Sequence, residues 1–317
     1  MRTRVALAVA LTALLAALAA GSAHAAELSP DDLLALYQPV TVLDAREPFA
    51  PIPVDAFIAD ADLERLGESG YQAVDMPPPG LPVDGTGWRL NHRSCTPAAG
   101  LAAVACYTAG PAAPSVVYGR HTVLAGTIVL QYWYFYEDNF WSLTYPASDL
   151  VWQAHEGDWE VVTIVLDEEQ RPVEAGYSQH CTGERRAWDA VPKAAGSEHP
   201  LVFVATGSHA NLFAPGVHPI QLGCYPAEAV AFFRAFGVTP RDFSIPGRTL
   251  GPGTTAIERV HDNAPRWLRF PGTWGETQYV HAPAPIGTVP FGTSPVGPRF
   301  QDDWLDPLGT IDTYRAG

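Results

Sequence analysis

Four ionisable side chains crowd the stretch QAHEGDWEVVTIVLD, Gln153 to Asp167: His155, Glu156, Asp158 and Glu160. The apolar run VVTIVL follows at once, so the charge stands at the mouth of what reads as a buried strand. Successive strand side chains face opposite ways. A strand beginning at Asp158 puts Asp158, Glu160, Val162, Ile164 and Leu166 on one face and Trp159, Val161, Thr163 and Val165 on the other. Carboxylates two residues apart have Cα atoms ~6.5–7 Å apart. Like charges at 4 Å repel by ~4 kcal/mol at an effective dielectric near 20. A cation, a shared proton, an arginine or water must offset that repulsion.

Later polar residues supply partners for this group. Ser178 and His180 lie in GYSQHC, and His209 follows the apolar run LVFVATG. Side by side, His155, Glu156, Asp158, Glu160, His180 and His209 form one cluster. Mixed imidazole and carboxylate ligands suit zinc, manganese or iron, whereas an all-oxygen set suits calcium or magnesium. The alternative is a structural network of carboxylates accepting backbone N–H bonds at a strand start. In QYWYFY, Tyr132, Tyr134 and Tyr136 share a strand face, so their hydroxyls, with that of Ser178, are candidates to line a polar pocket. Common catalytic signatures are missing: no H-E-x-x-H, no G-x-S-x-G elbow, no P-loop and no dinucleotide-binding fingerprint.

The elements that must position these groups read as mainly β: an antiparallel β-sandwich with a few short helices and long Gly/Pro-rich loops. Strand runs are TVLAGTIVLQYWYFY (122–136), DWEVVTIVLD (158–167), PVEAGYSQHC (172–181) and PLVFVATGSHAN (200–211). The turn-like DEEQRP makes the second and third a hairpin. SPDDLLALYQP predicts a helix with Ser29 as N-cap and Pro30 at its first position. PVDAFIADADLERLG reads as a second short amphipathic piece closed by Gly67, and YPAEAVAFFRAFG as a helix stopped by Gly237. Residues 70–114 read as loops, and the C-terminal part as loops with short strands.

Residues 1–25 carry Arg2 and Arg4, an Ala/Leu/Val run and Ala23-His24-Ala25, a secretory signal peptide with its cleavage site. The expected organisation is then a helical and loop region at 26–116 and a β-sandwich at 117–317. A secreted location, extracellular or periplasmic, follows, with no later transmembrane span. Oxidising surroundings favour two disulfides among Cys95, Cys106, Cys181 and Cys224. Cys95–Cys106 is expected as a local staple and Cys181–Cys224 as a longer tie. The net charge of −15, with Lys193 the one lysine, excludes a nucleic-acid partner, which needs clustered basic residues. The same acidity is compatible with a divalent cation, of which calcium, magnesium, manganese and zinc all stay open. Oligomeric state is not legible.

Taken together, VYGRHTVLAGTIVLQYWYFYEDN, HEGDWEVVTIVL, AGYSQH, VFVATGSHANLF and LRFPGTWGE resemble the Vps62-related family. That family is named after a fungal vacuolar-sorting protein and carries little established biochemistry. More distantly, LQYWYFY followed by HEGDWE is similar to the necrosis-inducing (NLP) cytolysins, whose aromatic strand precedes G-H-R-H-D-W-E. Those are secreted β-sandwiches that hold a divalent cation and attack membranes through sphingolipid headgroups. The chain matches the final D-W-E, so the resemblance implies Asp158 and Glu160 as metal-site residues, while Gly157 stands where that family has a histidine.

Three functions fit these residues. One is a secreted module binding a glycan or lipid headgroup through a cation or polar pocket. The second is a hydrolase in which Asp158, Glu160 or His155 activates water. The third is a structural or adhesive domain whose acidic motif ties strands together. The lack of a recognisable nucleophile places the binding module first.

Overall fold

The computed structural model describes residues 27–77, 80–93, 95, 105–107, 113–143, 152–223, 225 and 227–317. The expected signal peptide at 1–25 lies outside them, as does Cys224. Among the described residues, no helix is long and apolar enough to cross a membrane.

The protein is mostly β, in several mixed sheets. Its largest sheet is built around a hairpin, Ser115–Leu124 followed by Thr127–Asn139. Ala125 and Gly126 make the turn, both at positive φ (50° and 86°), as a two-residue hairpin whose turn must match strand twist demands. The expected run 122–136 is therefore the end of one strand, a turn and the start of another. Antiparallel pairing continues through Trp152–Leu166, Pro172–Gln179 and Thr182–Ala187, so the DEEQRP hairpin forms as expected. The edges are parallel instead: Thr255–Val260 beside Ser115–Leu124, and Arg315–Ala316 beside Thr182–Ala187.

Both faces of this sheet are covered, which explains its nearly unbroken apolar strands. Tyr132, Tyr134, Tyr136, Val162, Ile164 and Leu166 pack with Leu43, Val202 and Val204, from a four-stranded sheet of Asn211–Leu212, Leu201–Val204, Val40–Asp44 and Pro246–Leu250. Trp133, Phe135, Trp159 and Val161 pack with Leu63, Leu90 and Trp274. Those belong to a second four-stranded sheet, Thr273–Trp274, Trp88–His92, Ala61–Gly67 and Gly70–Val74. Each buried aromatic side chain contributes roughly 1.5–3 kcal/mol relative to exposure.

Ser29 caps the helix Pro30–Leu36 and, with Asp32, completes a capping box. The second amphipathic piece is a helix only over Val54–Asp60; Ala61–Gly67 is a strand, because Ala61 and Leu63 are buried with a period of two. Strands at Gly70–Val74 and Trp88–His92 likewise replace part of the expected loop. The helix Ala227–Ala235 forms as expected. Short helices at Asp302–Leu305 and Pro307–Thr313 were not foreseen. Arg120 and Gln131 hold the first of them by donating to the Trp304 and Asp303 carbonyls at 2.8 and 2.7 Å. Cys95–Cys106 is bonded as expected, and Cys181 is also disulfide-bonded.

Candidate functional site

The HEGD residues do not precede the strand; they lie within it. From His155 to Leu166 the strand Trp152–Leu166 pairs with the aromatic strand, setting Asn139 opposite His155, Asp138 opposite Glu156, Tyr136 opposite Asp158 and Tyr134 opposite Glu160. Gly157 interrupts the extended backbone at φ +59°, and a Cβ there would overlap the Trp274 carbonyl oxygen. A glycine is needed on both counts. Beyond it, the expected face assignment holds: Asp158 and Glu160 project to the side of Tyr134 and Tyr136, and Trp159 to the other.

Asp158 meets His209, whose Nδ1 donates to Asp158 Oδ2 at 2.9 Å. Asn139 Nδ2 donates to the same oxygen at 3.2 Å. The other imidazole nitrogen lies 3.4 Å from Glu47 Oε1, an ion-pair distance without the alignment of a hydrogen bond. Glu47 is itself fixed by the amides of Phe49 and Gly207 at 2.9 and 2.6 Å. Burial opposes a charge on His209, but Glu47 and Asp158 override it and push its pKa up to about 9. Burial equally opposes the Asp158 charge, yet the His209 bond and charge hold that carboxyl below its ordinary range. The pair is an imidazolium clasped between two carboxylates.

Glu160 is pushed the other way, well above the ordinary carboxylate range, by burial and then by the Asp158 charge. A protonated Glu160 is thus one answer to the like-charge repulsion, and Ser178 is hydrogen-bonded to it. The β ladder ends beside them at the pair Val162–Tyr177. Ser178 Oγ takes over by accepting from the Val161 amide at 2.8 Å, and Asn211 Nδ2 donates to the Val161 carbonyl at 3.4 Å. These side chains satisfy a buried backbone that has left its ladder.

His155 Nδ1 reaches the carbonyls of Glu156 and Gly157 at 3.2 and 2.9 Å, so it carries the proton and Nε2 is the ring's acceptor. Burial lowers its pKa and keeps it neutral. Two expected members stand apart. Glu156 turns to Tyr107 and the His92 amide. His180 is held by Asp242, with Nε2 2.9 Å from Oδ2, and Ser208 Oγ donates to Asp242 Oδ1 at 2.6 Å.

The tyrosine face is packed rather than open. Tyr132 OH donates to the Leu34 carbonyl at 2.9 Å, Tyr134 OH accepts from Thr41 at 3.5 Å, and Tyr136 OH is buried with no hydrogen-bond partner among the described residues. Sequence reasoning missed Glu47, Asp138 and Asp242. Asp138 had a signal, since it continues the alternation of Tyr132, Tyr134 and Tyr136. It is fully buried, and no side chain among the described residues hydrogen-bonds either carboxylate oxygen; the Asn139 amide beside it favours the charged form. Burial and the nearby Glu156 raise its pKa well above the ordinary range, with His209 pulling in the opposite direction.

Among the described residues, no three His, Cys, Asp or Glu side chains converge on one metal position as they stand. The reason is visible: Asp158, Glu160 and Glu156 spend oxygens on His209, Ser178 and Tyr107. The donor set with Asp138 remains oxygen-rich and short of positive charge. That chemistry fits a hard cation such as calcium, magnesium or manganese better than zinc.

No family model matches the chain, and no curated relative matches it. Solved structures do resemble it. One, described as a toxin fold as basis for microbial attack and plant defense, is 15% identical over 59% of this chain and 69% of that chain, at a TM-score of 0.33. Necrosis and Ethylene inducing Protein 2, from the causal agent of cocoa's Witches Broom disease, is 15% identical over 73% and 74%, at 0.31. NLPPya, in complex with mannosamine, is 13% identical over 89% and 90%, at 0.38. Necrosis-inducing proteins are the group that D-W-E resembles; the Vps62-related family has no counterpart among these matches. TM-scores this low set no residue in correspondence.

Proposed function

We propose that the chain is an exported binding module whose buried cluster around Asp158, Glu160 and His209 engages a glycan or lipid headgroup with the help of a divalent cation. The observation that supports this is Asp138, a fully buried carboxylate to which no side chain among the described residues hydrogen-bonds. It adds to a cluster in which Glu47 and Asp158 already outnumber the one imidazolium. Burying an unpaired carboxylate is costly unless a proton or a cation offsets it. Asp138 and Asp158, two ladder positions apart, would hold the cation, which supplies positive charge for the oxygens of a headgroup. His209 and the cation are then alternative partners for the same carboxylates, so cation binding competes with the imidazolium. The test is a calcium, magnesium and manganese titration of the mature chain followed by binding to immobilised glycans and lipid vesicles, with and without EDTA. Cation-dependent binding supports the reading; binding unaffected by EDTA removes the cation from it.

A second reading has its own support. Asp158 is held below and Glu160 above the ordinary carboxylate range, and neighbouring acids pushed apart suit a base and an acid. Turnover of a glycoside or ester panel that disappears in Glu160→Gln, with the fold intact, would favour a hydrolase. No turnover on that panel leaves the binding module.

A further inference from the structure

The hairpin after Gln179 turns on His180 and Cys181 before Thr182 pairs back with Gln179. His180 takes a left-handed backbone there, φ +59°, in a kind of turn that favours Gly, Asn or Asp. Its imidazole is held on two sides. Nε2 lies 2.9 Å from Oδ2 of the buried Asp242, and the ring packs on Trp141 with centroids 4.5 Å apart. A carboxylate at Nε2 fixes a proton there and leaves Nδ1 as the ring's second polar atom. Nδ1 has no hydrogen-bond partner among the described residues, and the side chain, 12% exposed, lines a cavity of about 550 Å³. Thr182 lines it beside the imidazole, and the C-terminal segment adds Asp302, Asp303, Asp306 and Thr310. Apart from the imidazole, whose charge Asp242 balances, no basic side chain lines this space. Burial raises the pKa of Asp303 even though Tyr314 OH donates to it at 2.5 Å, so this carboxyl gains from an added positive charge. Among the described residues the acids do not converge on one point as a metal ion requires. The excess negative charge therefore suits a cation carried on an organic skeleton.

We propose that this cavity is a second binding site, for a small hydroxylated amine: Asp302, Asp303 and Asp306 receive the ammonium group, and His180, Thr182 and Thr310 receive the hydroxyls. An ammonium group offers donors alone, which carboxylate oxygens satisfy. Hydroxyls donate and accept, and they match the mixed capacity of an imidazole nitrogen and threonine hydroxyls. A neutral polyol satisfies the second set and leaves the carboxylate charge uncompensated; an alkylamine does the reverse. A ligand carrying both groups uses the whole lining. The same reading explains why a histidine holds a turn position that suits glycine or asparagine: its ring reaches Asp242 on one side and the cavity on the other. The site shares no residue with the Asp138 and Asp158 pair and needs no metal.

Isothermal titration calorimetry of the full mature chain at neutral pH tests this with glucamine, the amino derivative of sorbitol, against sorbitol and hexylamine, which each lack one half of it. EDTA in the cell keeps any metal at Asp138 and Asp158 out of the measurement. Glucamine is expected to bind about tenfold more tightly than either comparison compound. Asp302→Asn changes an exposed carboxylate and is expected to keep the fold while weakening glucamine about threefold. His180→Asn retains a residue suited to the turn and is expected to erase the advantage of glucamine over hexylamine. Should that variant fail to fold, the comparison of glucamine with hexylamine on the parent decides the role of the hydroxyls. Glucamine bound no better than sorbitol or hexylamine, or bound equally by the parent and Asp302→Asn, overturns the proposal.

Discussion

The imidazole of His209 lies flat on the ring of Tyr136, with centroids 3.8 Å apart and planes within 3° of parallel. Tyr136 pairs with Asp158 across the strands, so one tyrosine supports the face of the imidazole while its paired neighbour binds its edge. A cation on an aromatic face gains from the ring quadrupole, more so when desolvated. The residues that fix His209 as an imidazolium therefore come from the sheet, from the Glu47 loop and from the aromatic strand together.

Stability should fall at alkaline pH through this residue. The folded pKa of His209, about 9, exceeds the ordinary histidine value of 6.5. Its stabilisation is therefore complete below about 6.5 and is lost as pH rises through about 9, in total on the order of 3 kcal/mol. Urea unfolding at pH 6.5 and pH 9.5 should show this drop, and His209→Gln should flatten it. An equal drop in His209→Gln assigns the slope to other groups.

The two acids of D-W-E should respond oppositely to neutral isosteres. Glu160→Gln keeps an oxygen near Ser178 and removes a carboxyl that burial already holds in its protonated form, so stability should change by less than about 1 kcal/mol. Asp158→Asn strips the imidazolium of its closest carboxylate and should cost about 3 kcal/mol. Chemical denaturation of the two variants side by side checks the contrast; equal losses would contradict it.

Gly157→Ala should be among the most damaging single-methyl substitutions in the chain. It combines a left-handed backbone, costing about 1–2 kcal/mol, with overlap on the Trp274 carbonyl. A loss above about 3 kcal/mol is expected, seen as a melting point lowered by several degrees. A variant as stable as the parent would show that the two strands separate easily at this point.

Much of this site could be read along the chain. Alternation set Asp158 with Glu160 on one strand face and grouped Tyr132, Tyr134 and Tyr136 on a face of their own strand, a period that continues to Asp138; that the two faces are the same side of the sheet comes from the strand pairing. The clustering of His209 with Asp158 followed from polar residues ending an apolar run. Glu47 was not legible, because it arrives from a loop near the N-terminus and has no periodic pattern around it. The charges read as a strand's mouth because local sequence does not reveal tertiary partners; His209, Ser178 and Tyr107 are what allow those residues to continue the strand. Residues 61–67 misled for the opposite reason, since ADLERLG has helix-forming residues and the sheet beneath Ala61 and Leu63 outweighs that preference.

The central claim, a cation held between Asp138 and Asp158, is tested most directly by melting the parent and Asp138→Asn with EDTA and then with saturating calcium, magnesium or manganese. Without cation, Asp138→Asn should be as stable as the parent or more so, since it removes a buried carboxyl to which no side chain among the described residues hydrogen-bonds. With cation at a hundredfold its dissociation constant, the parent should gain about 2.7 kcal/mol and the variant far less. A parent that melts identically with EDTA and with each cation would contradict the claim and leave His209 as the sole counter-charge of the cluster.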